Sequence, residues 1–264
     1  MTLHFHKYQG TSNDFVMVDD RARTFPADDH VLVRRLCDRR RGIGADGLIL
    51  LRTQPGFDFE MLYFNADGYL GSMCGNGGRC AVAFARQLGV ITDKTHFLAA
   101  DGPHEATVET DGRVNLRMID VPGQQEIPDG IFLNTGSPHI VRFLPASTLA
   151  EYDVYGEGRA VRYGDTFRER GGTNVNFVEA PQTPEQPWQV RTYERGVEDE
   201  TFSCGTGVTA VALAAARRGA SSPVPLRTLG GDLAVSFSMH PDGSFTNVFL
   251  SGPAEFVFTG SIEI

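Results

Sequence analysis

Apolar and polar residues alternate along much of the chain. Where the alternation stops, the apolar residues close up into two nearly uniform runs. Phe59, Met61 and Tyr63 fall on every second position of "FEMLYFN", the period of a half-buried strand. "EATVETDGRVNLRMID" predicts a hairpin turning on Asp111-Gly112, and "AVSFSMHPDGSFTNVFLSG" predicts another on Asp242-Gly243. His4 and His6 are read as alternating strand residues near the start. "PADDHVLVRRLCDRR" predicts a surface helix beginning near Pro26. The two apolar runs are "CGNGGRCAVAFARQLG", Cys74 to Gly89, and "CGTGVTAVALAAARRG", Cys204 to Gly219. Each opens at a glycine turn, carries Ala, Val, Leu or Phe on most faces, and closes at a glycine suited to a helix C-terminus. Helices so apolar all round are expected to be buried.

The two runs share Cys, Gly, Gly, Ala and a closing Gly at equal spacing, 130 positions apart. Upstream, "YQGTSNDFVMV" and "LNTGSPHIVRF" both set a glycine turn before an apolar strand, with Asn13 and His139 three residues after Gly10 and Gly136. "LYFNADG" precedes the first cysteine as "RTYERGV" precedes the second. The period is too long for a solenoid and implies a duplicated domain. The expected fold is α/β, with two pseudo-symmetric domains, each a strand-rich layer wrapped round a central helix. The polar, Pro/Gly-rich "VPGQQEIPDG", residues 121–130, is the expected crossing. The domains are then residues 1–120 and 121–252.

With 264 residues, 41% of them hydrophobic and 22% charged, the composition is that of an ordinary globular protein. A net charge of −9, with no basic run longer than Arg39–Arg41, argues against nucleic-acid and anionic-membrane partners. No stretch approaches the roughly 20 apolar residues of a membrane span, and the N-terminus lacks a secretory pattern. Four cysteines without a Cys-x-x-Cys pair fit reduced thiols, a cytoplasmic location and no metal.

Cys74 and Cys204 are where the duplication acquires chemistry. A helix N-terminus lowers a thiol pKa, and glycines leave backbone N–H groups uncovered for a carboxylate. Each half therefore offers an anion cradle with a thiol beside it, and two facing halves would set two thiols on opposite sides of one carboxylate. A cysteine before a buried helix is commonly a small core residue, the reading given to Cys37 and Cys80. The symmetric placement of Cys74 and Cys204 favours function instead. "GTGVTA" also fits a dinucleotide fingerprint, but no strand ends directly at Gly205 and no acidic residue follows at ribose distance. A redox disulfide between the two thiols is a further reading. Glu194-Arg195 supplies both charges for a zwitterionic ligand, and Asn13, Asn65 and Asn174 supply amides that donate and accept.

The motifs "GTSNDFVMVD", "RRRGIGADGLILL", "FNADGYLGSMCGNGGRC", "GSPH", "GTNVNFV", "YERGVEDETFSCGTG" and "SGPAEFVFTG" occur in order, and over nearly its whole length the sequence resembles the diaminopimelate epimerase family. The resemblance implies that family's barrel-like, two-domain fold, with the last strand, about residues 253–264, packing back on the first half. It implies a homodimeric, cytoplasmic, cofactor-independent isomerase with its site in the cleft between the domains. The reaction implied interconverts LL- and meso-2,6-diaminopimelate, a step toward lysine and peptidoglycan. Cys74 and Cys204 are implied as the acid/base pair, with Gly75-Asn76 and Gly205-Thr206 cradling the reacting carboxylate. Asn13 and Glu194 are implied around the reacting ammonium, and Asn65, Asn174 and Arg195 at the distal end. His139 and Glu194 are implied to tune the thiols. Many members have Asn at the place of Ser137, which still binds by its hydroxyl, and Gln at the place of Gly47.

The competing readings are a related racemase of the proline or histidine type and a catalytically silent binding module. Proline racemases carry Cys-Gly-His-Gly and Asp-x-x-Pro-Cys-Gly-Thr, where this chain has Asn76 and "DETFSCGTG". Arg195 with Asn65 and Asn174 favours a substrate with a second amino-acid head.

Overall fold

The structure is a computed structural model that describes residues 1–71 and 73–264. The chain divides into two compact units, Met1–Leu116 with Gly252–Ile264, and Arg117–Ser251.

The first unit contains β1 (Thr2–Gly10), β2 (Asn13–Asp19), α1 (His30–Cys37), β3 (Gly47–Arg52), β4 (Glu60–Asn65), α2 (Gly75–Gln87), β5 (Lys94–Ala99), β6 (Gly102–Val108) and β7 (Val114–Arg117), with the C-terminal strand Glu255–Glu263. β1 lies antiparallel between that C-terminal strand and β2. The order then runs β2 parallel to β3, β3 antiparallel to β4, β4 parallel to β5, β5 antiparallel to β6, and β6 antiparallel to β7.

The second unit repeats the scheme with β8 (Gln125–Ile127), β9 (Gly130–Asn134), β10 (Pro138–Leu144), α3 (Val154–Arg162), α4 (Asp165–Arg168), β11 (Asn174–Glu179), β12 (Trp188–Glu194), β13 (Asp199–Thr201), α5 (Gly205–Ala216), β14 (Val224–Thr228), β15 (Gly231–Met239) and β16 (Phe245–Gly252). β8, β9 and β10 pair antiparallel in turn. β10 is parallel to β11, β11 antiparallel to β12, β12 parallel to β14, and β14, β15 and β16 antiparallel in sequence. The two units thus share one order of parallel and antiparallel pairings. The duplication read from the cysteine motifs is present in the hydrogen-bond ladders.

α2 packs against β1, β2, β3, β4, β6 and the C-terminal strand, and α5 against β9, β10, β11, β12, β14 and β15. A helix enclosed by strands must be slim. From Val208 to Ala215, α5 shows only Val, Thr, Ala and Leu, all fully buried. Burying a side chain of this kind contributes about 1–3 kcal/mol, so the two helices anchor the two cores.

Two sequence expectations need correction. Residues 121–130 are not a free crossing. Val121 bridges Phe245, and Gln125–Ile127 forms β8 against β9, so the segment belongs to the second unit's sheet. Its Pro and Gly content hid a three-residue edge strand. α1 begins at His30, not near Pro26, because Asp29 is the N-cap and accepts from Leu32 N at 2.9 Å. Among the described residues no helix is long and apolar enough to cross a membrane.

Candidate active site

In the first unit Cys74 is the N-cap residue of α2, in extended conformation, and its side chain makes no capping hydrogen bond. At α1 and α3 an aspartate does cap, so there the first-turn N–H groups meet a fixed anion. With cysteine in that place, no carboxylate side chain caps the first turn, and the positive end of the helix dipole lies beside the thiol. Asn13 opens β2 opposite the thiol. Its Nδ2 donates to Asp46 Oδ2 at 2.7 Å, which turns Oδ1 toward Cys74 Sγ (3.7 Å) and Asn76 Nδ2 (3.3 Å). Asp46 and Asp14 are held together by Arg39, at 2.7 and 2.6 Å.

The turn from β1 to β2 is Thr11-Ser12, with φ of 52° and 65°. Two positive φ values suit a tight hairpin, yet a β-branched residue resists that conformation. Thr11 is buried, and Arg79 NH2 donates to its hydroxyl at 3.2 Å. Arg79 is itself fully buried. Its other partners are the carbonyls of Gly75 and Pro253, both at 3.3 Å, and no carboxylate pairs with it among the described residues. Burial lowers its pKa to about 10, while attraction to Cys80 and Cys74 works the other way. The guanidinium remains charged at neutral pH, so a buried positive charge lies behind the first thiol and favours an anion there.

Asn65 ends β4 and is exposed. A Cβ at Gly47 would run into Tyr63 Cε2 and Phe64 O, and one at Gly71 would lie 2.6 Å from Tyr63 Cε1 and 3.1 Å from Asn65 Nδ2. The Tyr63 ring therefore lies in a slot between two glycines and fills the space that a side chain at position 47 would take.

In the second unit Cys204 caps α5 as Cys74 caps α2, again without a side-chain capping bond. Its Sγ lies 3.5 Å from Thr206 Oγ1, which lies 2.9 Å from His139 Nε2. His139 is fully buried, and burial, aided by repulsion from Arg195, lowers its pKa to about 3. Its Nδ1 meets Asn176 Nδ2 at 3.1 Å.

Beside this chain is a second cluster. Asn174 Nδ2 donates to Ser137 Oγ at 2.9 Å and Pro138 O at 2.9 Å, and Asn174 Oδ1 accepts from Arg195 N at 2.8 Å. Arg195 NH2 reaches Ser137 Oγ at 3.4 Å. β12 stops at Glu194, and Gly196, at φ 95°, turns the chain so that Arg195 lies outside the strand alternation. Glu194 accepts from Thr201 Oγ1 at 2.8 Å, and burial raises its pKa against that bond.

The structure thus joins Cys74 with Asn13 and Asn76, Cys204 with Thr206 and His139, and Ser137 with Asn174 and Arg195. Sequence reasoning missed Asp46, Arg79 and Asn176. Asn176 stood two residues after Asn174 in "GTNVNF", on the same strand face, and Arg79 stood in a helix otherwise read as apolar.

Mixed strands wound on a buried helix, twice in one chain, make a fold shared with solved structures. The phenazine biosynthesis protein of the PhzF family from Bacillus anthracis aligns over 100% of both chains with a TM-score of 0.76 at 12% identity. The diaminopimelate epimerase family model matches residues 5–121 and 131–257. The diaminopimelate epimerase of Flavobacterium psychrophilum is 49% identical over 98% of this chain and 100% of its own length. That of Chlorobaculum tepidum is 41% identical over 97% and 99%. The chain belongs to the diaminopimelate epimerase family.

The Asp14 cluster yields a pH test. Burial opposes ionisation of Asp14, but hydrogen bonds and charge from Arg39 and Lys7 outweigh it and lower its pKa from 3.8 to about 2. A depressed carboxylate contributes stability that is full above the unfolded pKa and is lost as pH falls from about 4 to 2. We expect Asp14→Asn to lower stability by roughly 2 kcal/mol at neutral pH and to flatten that acid limb. Urea titrations of both proteins from neutral pH downward check this. An unchanged acid limb in the variant sinks it.

Proposed function

We propose that the chain interconverts LL- and meso-2,6-diaminopimelate by a two-thiol proton exchange that needs no cofactor. The observation that carries the reading is a thiol at the N-terminus of a buried helix in each of two repeated units, in a chain of this family. The α-C–H bond is weakly acidic, so carbanion formation is the hard step. N–H groups of Gly75-Asn76 and Gly205-Thr206, with the two helix dipoles, stabilise the enediolate-like charge on the α-carboxylate. One cysteine, as thiolate, takes the α-proton from one face, and the other, as thiol, gives its proton to the opposite face. The centre inverts and the thiols exchange roles, so neither proton nor charge is lost over the cycle.

In this reading the Asn13 oxygen and Glu194 receive the reacting ammonium. Asn65, Asn174, Ser137 and Arg195 hold the distal amino-acid head, and His139 and Glu194 set the protonation of the thiols. The enzyme is then a cytoplasmic step in lysine and peptidoglycan-precursor synthesis, and a homodimer. The exposed Phe256, Val257 and Phe258 on the C-terminal strand support a self-association surface.

Incubation with LL-diaminopimelate in D₂O is the direct test. Deuterium at the α-carbon with meso product is expected from the native protein, and neither from Cys74→Ala or Cys204→Ala. Near-native turnover in either variant overturns the two-thiol scheme. Arg195→Met is expected to cost about 2 kcal/mol of distal binding, or roughly 30-fold in KM. An unchanged KM, with unchanged discrimination against lysine, moves the racemase of a simpler amino acid ahead. Sedimentation velocity is expected to give a dimer for the native chain and a monomer for Phe258→Glu. A native monomer contradicts the assembly.

A further inference from the structure

We propose that Asn176 is a positioning residue that holds His139 as the neutral imidazole with its proton on Nε2, so that the Thr206 hydroxyl donates to Cys204 Sγ. The functional weight of this rests on Cys204 being one of the two exchanging thiols. The proton positions follow from hydrogen-bond geometry alone.

The Asn176 amide has one orientation open to it. Its nitrogen faces Ile140 O at 3.0 Å, and a carbonyl can only accept, so that atom must be the NH₂ group. Its oxygen accepts from Thr192 Oγ1 at 3.0 Å. The second N–H then points at His139 Nδ1, 3.1 Å away. Nδ1 must therefore present a lone pair, because a proton there would meet the amide proton. In a neutral imidazole the remaining proton belongs to Nε2, which donates to Thr206 Oγ1 at 2.9 Å. The Thr206 hydroxyl has accepted one bond and turns its own hydrogen to Cys204 Sγ at 3.5 Å. A hydroxyl that donates to sulfur favours the thiolate.

The backbone is shaped for this chain. His139 pairs with Asn174 across the parallel β10–β11 ladder, which places Asn176 one step further on the same face. A Cβ at Gly207 would lie 2.5 Å from Asn176 Oδ1 and 3.4 Å from Cys204 Sγ, so α5 approaches the amide only because that residue is glycine. The groups around the ring are Asn174 and Asn176 from β11, Thr206 and Cys204 from the start of α5, and Arg195 beyond β12. Arg195 is the charged group that acts on the ring, and its repulsion joins burial in opposing protonation. His139 is thus a fixed hydrogen-bond donor at working pH, not a third proton acceptor beside the thiols.

The tautomer is read directly by ¹⁵N NMR of the ring nitrogens, assigned by loss of the signal in His139→Gln. An Nε2-protonated neutral ring, unchanged between about pH 5 and 9, is expected. A proton on Nδ1, or an ordinary histidine titration in that range, overturns the proposal. Asn176→Asp, an acceptor at Nδ1, is expected to move the proton there. If this variant does not fold, the native spectrum and the Thr206 variants still decide.

Thr206→Val is expected to slow iodoacetamide alkylation of Cys204, followed by peptide mass spectrometry, by about tenfold, and Thr206→Ser to restore it. Equal rates in all three proteins overturn the Thr206–Cys204 bond. With diaminopimelate, Asn176→Asp and Thr206→Val should each lower kcat about tenfold or more while KM changes little. The double variant should be no worse than the poorer single, and an additive loss overturns the relay. A native protein that does not turn over diaminopimelate sinks the epimerase reading, and the NMR and alkylation results then judge this proposal by themselves.

Discussion

Enclosing a helix by strands on several sides is the constraint on which both units depend. It limits α2 and α5 to small or slender residues over most of their length. It also fixes where each helix axis points, and hence where its N-terminal dipole acts. A side chain that capped the first turn well would spend that dipole internally. Cysteine in the N-cap place leaves it available and adds a thiol at the same point.

The two helix starts share a backbone pattern but not an electrostatic one. Five residues after Cys74 is Arg79, buried and charged, whereas five residues after Cys204 is Thr209, whose hydroxyl returns to Gly205 O at 2.9 Å. One thiol has a cation behind it, and the other has a neutral chain through Thr206, His139 and Asn176. Duplication supplied the frame, and a handful of side chains made the halves unequal.

Much of this was legible in the sequence because period and turn chemistry are local. The hairpins at Asp111-Gly112 and Asp242-Gly243 and both buried helices could be read from spacing. What could not be read depends on where side chains go once strands are stacked. Arg79 passed unnoticed in a helix read as buried, and its role comes from Thr11 and the two carbonyls that close over it. Asn176 carried no signal of its own in the sequence, and its meaning lies in three hydrogen-bond partners, His139, Ile140 and Thr192, brought from two other strands. The β8 strand was hidden because its partner, β9, supplies the order that its own composition does not.

The Tyr63 ring between Gly47 and Gly71 bears on how such a chain can drift. Glycine at 47 is tolerable because an aromatic edge fills the vacancy, and the aromatic is tolerable because both flanking residues lack a Cβ. A side chain added at 47 or 71 meets the ring, whereas a smaller residue at 63 leaves a cavity instead. A long polar side chain at 47 beside an unchanged Tyr63 overpacks the slot at a cost of about 1–3 kcal/mol, and a smaller residue at 63 removes that clash. Within this chain, then, positions 47, 63 and 71 form one packing unit, and a side chain added at 47 or 71 is felt first at the Tyr63 ring.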